Sequence, residues 1–304
     1  MIKVWKWIAI SILILCVVGF AFSFKVYSDM KSTIEEVYTP IRSEPSVKRE
    51  VPINVEEREP FSALILGVDE REGDKGRTDT MIVLTVNPTL KTTKMLSIPR
   101  DTYTELVGRN EKDKINHAYA YGGMEMTIKT VEELLDIPID YVAKLNMESF
   151  VNIIDIVGGI TVQNDLEFNY EGEHFSQGEN QLDGEKALKY VRMRYEDPNG
   201  DFGRQNRQKQ VIQEVIKKSL SVNAILNYQS IFETLENNLE MNIGFDELLT
   251  IQKEYRDSFG SLEQLYLNKG GGSMMKGIYY YIPDDEELMT IQQTFKEHLQ
   301  VLTE

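Results

Sequence analysis

Arginine side chains are concentrated in residues 190–208, which read YVRMRYEDPNGDFGRQNRQ. The four arginines of this segment are Arg192, Arg194, Arg204 and Arg207. A planar guanidinium group binds phosphate oxygens in pairs and keeps its charge at any working pH, so several of them together can neutralise a pyrophosphate. On an extended backbone Arg192 and Arg194 would project to one face. The segment therefore predicts a site for phosphate chemistry.

The spacing further along this segment favours one face of a helix. Residues at positions i, i+3 and i+7 of a helix lie together, and here they are Asp201, Arg204 and Gln208. Arg207 would point well away from that face. We therefore expect Arg204 and Gln208, and not Arg207, to contact phosphate.

A glycine-rich loop, GVDEREGDKGRTDT, carries a second group of charges. Asp69 and Asp79 flank it, and two carboxylates at one sheet edge suit a hard divalent cation, with magnesium as the first choice and manganese as an alternative. Three antiparallel strands in succession would bring Arg100 to the same edge. Arg71 and Arg77 lie beside the carboxylates. Surface ion pairs, each worth about 0–1 kcal/mol, are the other interpretation of this loop alone.

Several other chemistries lack the residues that they need. Cys16 is the only cysteine and lies in an apolar run, and His117, His174 and His298 are isolated, so no zinc hydrolase is indicated. Neither a Gly-x-Ser-x-Gly elbow nor a Gly-x-x-x-x-Gly-Lys-Ser/Thr loop occurs. The net charge of −16 argues against a nucleic-acid partner, and any bound polyanion must be held by a local group of arginines.

Beyond residue 60, short apolar runs alternate with helical periods, which indicates an α/β layer architecture. Predicted strands cover residues 61–68, 80–86, 94–98, 141–145, 160–163, 262–267 and 278–282. Predicted helices cover residues 124–135, 147–157, 183–190, 202–219, 224–239, 245–255 and 284–302. Residues 60–304 are predicted to form one domain, whose C-terminal part is scaffold without chemistry.

The N-terminus has the pattern of a membrane anchor. Residues 7–24 are uncharged and mostly apolar, and as a helix they would span about 27 Å, close to the hydrocarbon thickness of a bilayer. Lys3 and Lys6 would keep residues 1–6 in the cytoplasm, so the rest of the chain would lie outside the cell membrane. A cleaved signal peptide is the alternative. Residues 25–59, polar and interrupted by prolines, are predicted to be an extracytoplasmic stem.

Four motifs resemble the LytR-CpsA-Psr (LCP) family of Gram-positive envelope enzymes, over roughly residues 61–220 and the N-terminal anchor. Each is weak evidence alone, whereas the four in this order are specific. They are Leu66-Gly67-Val68-Asp69 with Gly76-Arg77-Thr78-Asp79-Thr80, Ser97-Ile98-Pro99-Arg100-Asp101, Lys114-Ile115-Asn116-His117-Ala118-Tyr119, and Val191-Arg192-Met193-Arg194 with residues 201–208. The resemblance is nearest to the teichoic acid transferase branch of the family.

This resemblance implies a mixed central β-sheet flanked by helices, with a hydrophobic pocket for a polyprenyl tail. It implies a phosphotransferase that moves wall teichoic acid, or a related anionic glycopolymer, from polyprenyl pyrophosphate to peptidoglycan. Asp69 and Asp79 would hold magnesium, while Asp201 would pair with the arginines or act as a base. The residues that would bind or orient the pyrophosphate are Arg77, Arg100, Lys114, Arg192, Arg194, Arg204 and Gln208. Arg100 and Arg204 would join Asp201 in catalysis.

Three points stay open at this stage. The stripe formed by Val211, Ile212, Val215 and Ile216 could line the lipid pocket, but we interpret it as ordinary core. Hydrolysis of the polyprenyl pyrophosphate by water is a rival reaction at the same site. A membrane-bound regulator, or transcription attenuator, of envelope genes is a rival of another class.

Overall fold

The computed structural model describes residues 24–40, 46–49, 51–68, 76–194, 196–219 and 239–301. The strands of the central sheet are β1 (Phe61–Val68), β2 (Thr78–Asn87), β3 (Thr92–Ser97), β6 (Tyr141–Asn146), β11 (Leu239–Met241) and β12 (Leu262–Leu265). The two-stranded ladders are β4 (Tyr103–Leu106) with β5 (Glu111–Lys114), β7 (Ile160–Asn164) with β10 (Gly178–Leu182), β8 (Phe168–Tyr170) with β9 (Glu173–Phe175), and β13 (Gly271–Met275) with β14 (Ile278–Ile282). The helices are α1 (24–37), α2 (His117–Leu135), α3 (Met147–Ile156), α4 (Gly184–Arg192), α5 (Asp201–Ser219), α6 (Phe245–Glu254) and α7 (Asp285–Leu299).

The central sheet is mixed, with the strand order β11-β6-β1-β2-β3-β12. β1, β2 and β3 form an antiparallel meander, whereas β6 pairs with β1, and β12 with β3, in parallel. The meander predicted from three apolar runs is therefore confirmed. β1 spans the same residues that its near-continuous apolar run predicts.

Both faces of this sheet are covered, because consecutive strand residues point to opposite sides. Leu64 and Leu66 pack with α2 and α7 in the main core. Ile65 and Ile82 face the other way, toward Ile212 of α5. The result is an α/β/α arrangement, which confirms the predicted fold class within the part of the chain that the structure describes.

A smaller core supports the helices on the α5 side of the sheet. It is built on the β7–β10 and β8–β9 ladders and on α4, with Tyr190 fully buried at its centre. The rings of Phe168 and Phe175 stack at 4.7 Å, and that of Phe168 stacks on Tyr190 at 5.8 Å. This core fixes where α4 ends, and the arginine-rich segment starts there.

The first part of the predicted stem is not a linker. α1 packs Ile34 and Val37 against Met241 and Phe245, and the amide of Thr39 donates to the carbonyl of Met241 at 2.8 Å. The apolar face of α1 covers edge strand β11. The polar composition of this segment does not indicate such a face. No helix within the described ranges is both long and apolar enough to cross a membrane, and residues 7–23 of the predicted anchor lie outside those ranges.

Candidate active site

Asp79 and Arg100 meet at one edge of the central sheet. Ile82 of β2 pairs with Ser97 of β3, so Asp79 and Arg100 each lie three residues beyond that pair on the same side. Arg100 Nη1 donates to Asp79 Oδ1 at 2.8 Å, and the two side chains are 35% and 32% exposed. The meander thus places a guanidinium and a carboxylate together at the surface.

Arg207 fixes the turn that carries the other arginines. Its Nε donates to the carbonyl of Tyr190 at 3.0 Å, its Nη2 to the carbonyl of Met193 at 2.5 Å, and its Nη1 to Asp197 Oδ2 at 2.5 Å. A cation that satisfies two carbonyls and one carboxylate inside the protein joins the end of α4 to the start of α5. Arg207 is therefore a structural residue.

Gly203 lets α5 approach that turn. A Cβ atom at this position would lie 1.7 Å from Asp197 Oδ2, so any side chain would displace the carboxylate that holds Arg207. Asp197 also accepts the amide of Asn199 at 2.8 Å, which closes the turn before α5. The absence of a side chain at residue 203 is thus a requirement of this segment.

The arginines surround one end of a cavity of about 420 Å³ between the sheet and the layer of α3, α4 and α5. Its polar end includes Asp79, Thr80, Arg100, Asn146, Arg192, Arg194, Arg204 and Gln208. Apart from Gly67, Tyr170 and Glu171, the rest of its lining is apolar: Ile65, Ile82, Leu145, Met147, Phe150, Leu188, Val191 and Ile212. Such a two-ended cavity can hold an anionic group attached to an apolar chain.

Six of the residues predicted from sequence line this cavity, and two described ones do not. Arg77, directly before β2, is exposed and is not among the lining residues. Lys114 Nζ lies 2.7 Å from Asp101 Oδ1, and Asp101 Oδ2 lies 3.7 Å from Arg100 Nε. In this structure Lys114 therefore pairs with Asp101, which lies beside Arg100, and does not itself line the cavity.

The comparison with known proteins matches this arrangement. The model of the LytR_cpsA_psr family matches residues 24–297. The chain belongs to the LytR-CpsA-Psr family. The polyisoprenyl-teichoic acid–peptidoglycan teichoic acid transferase TagU of Bacillus licheniformis is 47% identical over 279 residues, which are 92% of this chain and 90% of that protein.

Solved structures agree with the family assignment. The crystal structure of Bacillus subtilis TagU is 46% identical, has a TM-score of 0.64, and covers 81% of this chain and 98% of its own. A structure of TagT bound to LI-WTA is 34% identical, has a TM-score of 0.72, and covers 86% of this chain and 98% of its own. The LytR-CpsA-Psr resemblance read from four motifs is thereby confirmed.

A magnesium ion would find part of its ligand set in this LytR-CpsA-Psr cavity. Asp79 presents a carboxylate at the polar end, beside the hydroxyl of Thr80. Asp69, the second predicted ligand, lies outside the described residues, and the described residues alone contain no group of three acidic, histidine or cysteine side chains that could hold a metal. Asp79 fits a hard cation that keeps most of its waters.

Sequence reasoning differs from the structure at two places in the site, and a third residue, Asp201, is not tested. Arg192 is the last residue of α4, so it and Arg194 reach the cavity from a helix end and not from an extended strand. Ile212 lines the cavity, while Val211 is buried in the smaller core, so the stripe on α5 serves both purposes. The side chain of Asp201 is not among those that the structure describes.

Asn146 is a cavity residue that the sequence analysis did not select. Its side-chain oxygen accepts the amide of Ser149 at 2.8 Å and so caps the start of α3. β6 and β1 are parallel and Asn146 pairs with Val68, so α3 starts at the edge where Asp79 lies. The sequence signal that could have identified Asn146 is its position between a predicted strand and a predicted helix, where an asparagine is typical of a helix N-cap.

Proposed function

We propose that this chain is a phosphotransferase that moves an anionic glycopolymer of the teichoic acid type from polyprenyl pyrophosphate to peptidoglycan. The observation that carries this proposal is the cavity with an arginine-rich end and an apolar end. A prenyl pyrophosphate has the same two-part chemistry, a dense negative charge joined to a hydrocarbon. The transferase names of the similar proteins support the proposal.

The pyrophosphate would occupy the polar end. Arg100, Arg194 and Arg204 come from a strand end, a turn and a helix, and all three line the cavity. Guanidinium groups can bind both phosphates at once and follow the charge as it moves to the leaving group. Arg192 and Gln208 complete this end, and Gln208 Nε2 lies 3.4 Å from Thr80 Oγ1.

The hydrocarbon would occupy the apolar walls. Ile65 of β1, Phe150 of α3 and Leu188 of α4 come from the sheet and from the facing helix layer, and all three line this cavity. A volume of about 420 Å³ is within the usual range for bound small molecules, so the cavity suits the prenyl units next to the phosphate.

We assign the metal role to Asp69 and Asp79, with magnesium as the ion. When bound, this ion would neutralise phosphate charge beside Arg100. Asp79 contributes a carboxylate, and its pairing with Arg100 keeps that carboxylate at the polar end of the cavity.

In the transfer step, a sugar hydroxyl of the acceptor forms a new bond from its oxygen to the phosphorus that carries the donor polymer. The bond from that phosphorus to the bridging oxygen breaks, and polyprenyl monophosphate leaves with the electron pair. The hydroxyl proton passes to a carboxylate, which we assign to Asp201, the first residue of α5. We place the reaction outside the cell membrane, with residues 7–24 as the anchor.

A charge placed in the apolar wall tests the proposal. Ile212→Glu should weaken binding of a short-chain polyprenyl pyrophosphate donor by at least about tenfold, because a buried carboxylate opposes both hydrocarbon and phosphate. Gln213→Glu is the matched control, since it adds the same charge one residue along α5 and does not line this cavity. Equal donor binding in both variants would contradict the assignment. Release of polyprenyl monophosphate at the full rate without any glycan acceptor would identify a hydrolase instead.

A further inference from the structure

A second cavity, of about 460 Å³, lies on the other side of the same arginines. Arg100, Arg194 and Arg204 line both cavities. The opposite wall of the second cavity comes from the β13–β14 hairpin, in the C-terminal part predicted to be scaffold. Residues far along the chain thus line a cavity together with the arginines, which the sequence did not predict.

The hairpin gives this second cavity an aromatic wall. Tyr279 and Tyr281 lie on one face of β14, and their rings rest on two glycines of the neighbouring segment. A Cβ atom would lie 2.6 Å from the Tyr279 ring at Gly272, and 2.7 Å from the Tyr281 ring at Gly270. The absence of side chains at these two glycines thus leaves room for both rings.

This wall is both fixed and accessible. The hydroxyl of Tyr281 donates to the carbonyl of Leu267 at 2.7 Å, and the amide of Tyr281 donates to the carbonyl of Asp101 at 2.9 Å. The second bond ties the hairpin directly to the strand edge that carries Arg100. Tyr279 remains 43% exposed. An open aromatic ring therefore stands at a set distance from the arginines.

Polar groups complete the second cavity. Asn268 is exposed at its rim, and Asp101 presents a carboxylate between Arg100 and Lys114. Gly200 and Phe202, the chain neighbours of the proposed base, also line it. Flat aromatic rings beside hydrogen-bonding side chains suit a sugar, whose C–H face packs on a ring and whose hydroxyls bind polar groups.

We propose that the second cavity binds the acceptor glycan strand, an inference that rests on the proposed function. In an in-line displacement at phosphorus, the attacking and leaving oxygens lie on opposite sides. The leaving prenyl phosphate belongs to the first cavity, so the attacking hydroxyl comes from the other side of the arginines. The bond changes are those of the transfer step above, with the hydroxyl proton passing to Asp201.

The experiment measures glycan binding and transfer separately. Soluble, uncrosslinked peptidoglycan strands are titrated into the wild-type protein without donor, and the acceptor KM and donor KM are then measured in a transfer assay. Tyr279→Ala should weaken glycan binding and raise the acceptor KM by about 5- to 10-fold, since one stacking ring is lost, with the donor KM within about twofold of wild type. Tyr279→Phe, which keeps the ring, should bind like wild type.

Two further variants provide a control and a second, independent test. Met274→Ala changes the exposed residue that pairs with Tyr279 in the hairpin but does not line the cavity, so it should leave both KM values unchanged. Asn268→Ala should raise the acceptor KM even if Tyr279→Ala folds poorly. A raised donor KM with an unchanged acceptor KM would assign the cavity to the donor sugar and overturn the proposal. Absence of transfer by the wild-type protein would instead refute the proposed function, while glycan binding would still report on the cavity.

Discussion

Arg207 and Asp197 form an ion pair inside the protein, with Nη1 and Oδ2 2.5 Å apart and side chains only 6% and 3% exposed. Asp197 also lines the second cavity beside Arg194 and Arg204, whereas Arg207 lines neither of the two cavities. The pair connects α4 to α5 and so sets the positions of Arg194 and Arg204. Arginines that are close in sequence consequently have different roles, and mutations should separate them.

Arg207→Ala should primarily reduce stability. Removing one partner leaves the Asp197 carboxylate buried without its counter-charge, which costs about 3–5 kcal/mol. Urea unfolding followed by circular dichroism measures this loss. Arg204→Ala should change the free energy of unfolding by less than about 1 kcal/mol but should weaken donor binding. A fully stable Arg207→Ala variant with impaired donor binding would place Arg207 in the binding site instead.

Arg194→Lys should impair transfer although the charge is kept. An ammonium group cannot make the two parallel hydrogen bonds of a guanidinium, so kcat/KM should fall roughly 10- to 100-fold. Arg192→Lys should have a smaller effect, because Arg192 is exposed and lines only the first cavity. Steady-state kinetics with a short-chain donor compares the two. Wild-type kcat/KM in both Lys variants would move the phosphate clamp elsewhere.

Asp79→Asn should weaken magnesium binding in the absence of substrate. The loss of a charged oxygen ligand should raise the Kd for magnesium at least about tenfold, as measured by isothermal titration calorimetry. Asp257→Asn, at an exposed carboxylate paired with Lys91, is the control and should bind magnesium like wild type. If Asp79→Asn keeps the wild-type Kd, Asp79 is not a metal ligand.

The lowered pKa of His298 predicts how the free energy of unfolding depends on pH. Burial, followed by the charge of Lys94, lowers the pKa of His298 to about 4. Its ring nitrogens lie 2.8 Å from Thr85 Oγ1 and 2.9 Å from Thr92 Oγ1, contacts that the neutral ring satisfies. In the unfolded chain the imidazole takes up a proton near pH 6.5. The contribution of the neutral ring is therefore complete above about pH 6.5 and is lost as the pH falls toward 4.

This loss should amount to roughly 1–3 kcal/mol in the free energy of unfolding. Urea titrations at pH 7.5, 6.5, 5.5 and 4.5 measure it in the wild-type protein and in His298→Gln. The Gln variant should be less stable at pH 7.5, but its stability should fall less between pH 6.5 and 4.5, because it has no ring to protonate. Parallel pH profiles in the two proteins would show that His298 does not carry the effect.

The position of the domain relative to the membrane is a separate prediction. Lys3 and Lys6 before the apolar residues 7–24 should leave residues 25–304 outside. A protease added to intact protoplasts should then digest the domain, whereas a cytoplasmic control protein should survive. Complete protection of the domain would contradict the predicted orientation.

Local patterns predicted much of the scaffold. β1, β14 and α3 were found within a residue of their bounds, because each has an uninterrupted apolar period. β8, β9 and the β4–β5 ladder were missed, since strands of three or four residues have too few positions to show a period. The helix predicted at residues 224–239 lies outside the described residues except at its last residue, which begins β11.

The amino-acid sequence by itself determined the chemistry available to this protein: arginines for phosphate, a carboxylate at a strand end, and an acidic chain without metal-binding cysteines or histidine pairs. Only the tertiary structure decided which arginines line a cavity. Arg207 is buried because the carbonyls of Tyr190 and Met193 and the carboxylate of Asp197 surround it, and helical spacing alone names none of these partners.

The second cavity is another feature that the sequence alone does not predict. Its walls come from Arg100, the start of α5 and the β13–β14 hairpin, segments that are distant in sequence. Local periodicity reports which face of an element is apolar, but it holds no information on which distant element that face meets. The hydrogen bond from the Tyr281 amide to the Asp101 carbonyl joins two of these distant segments, and it forms only when the chain folds.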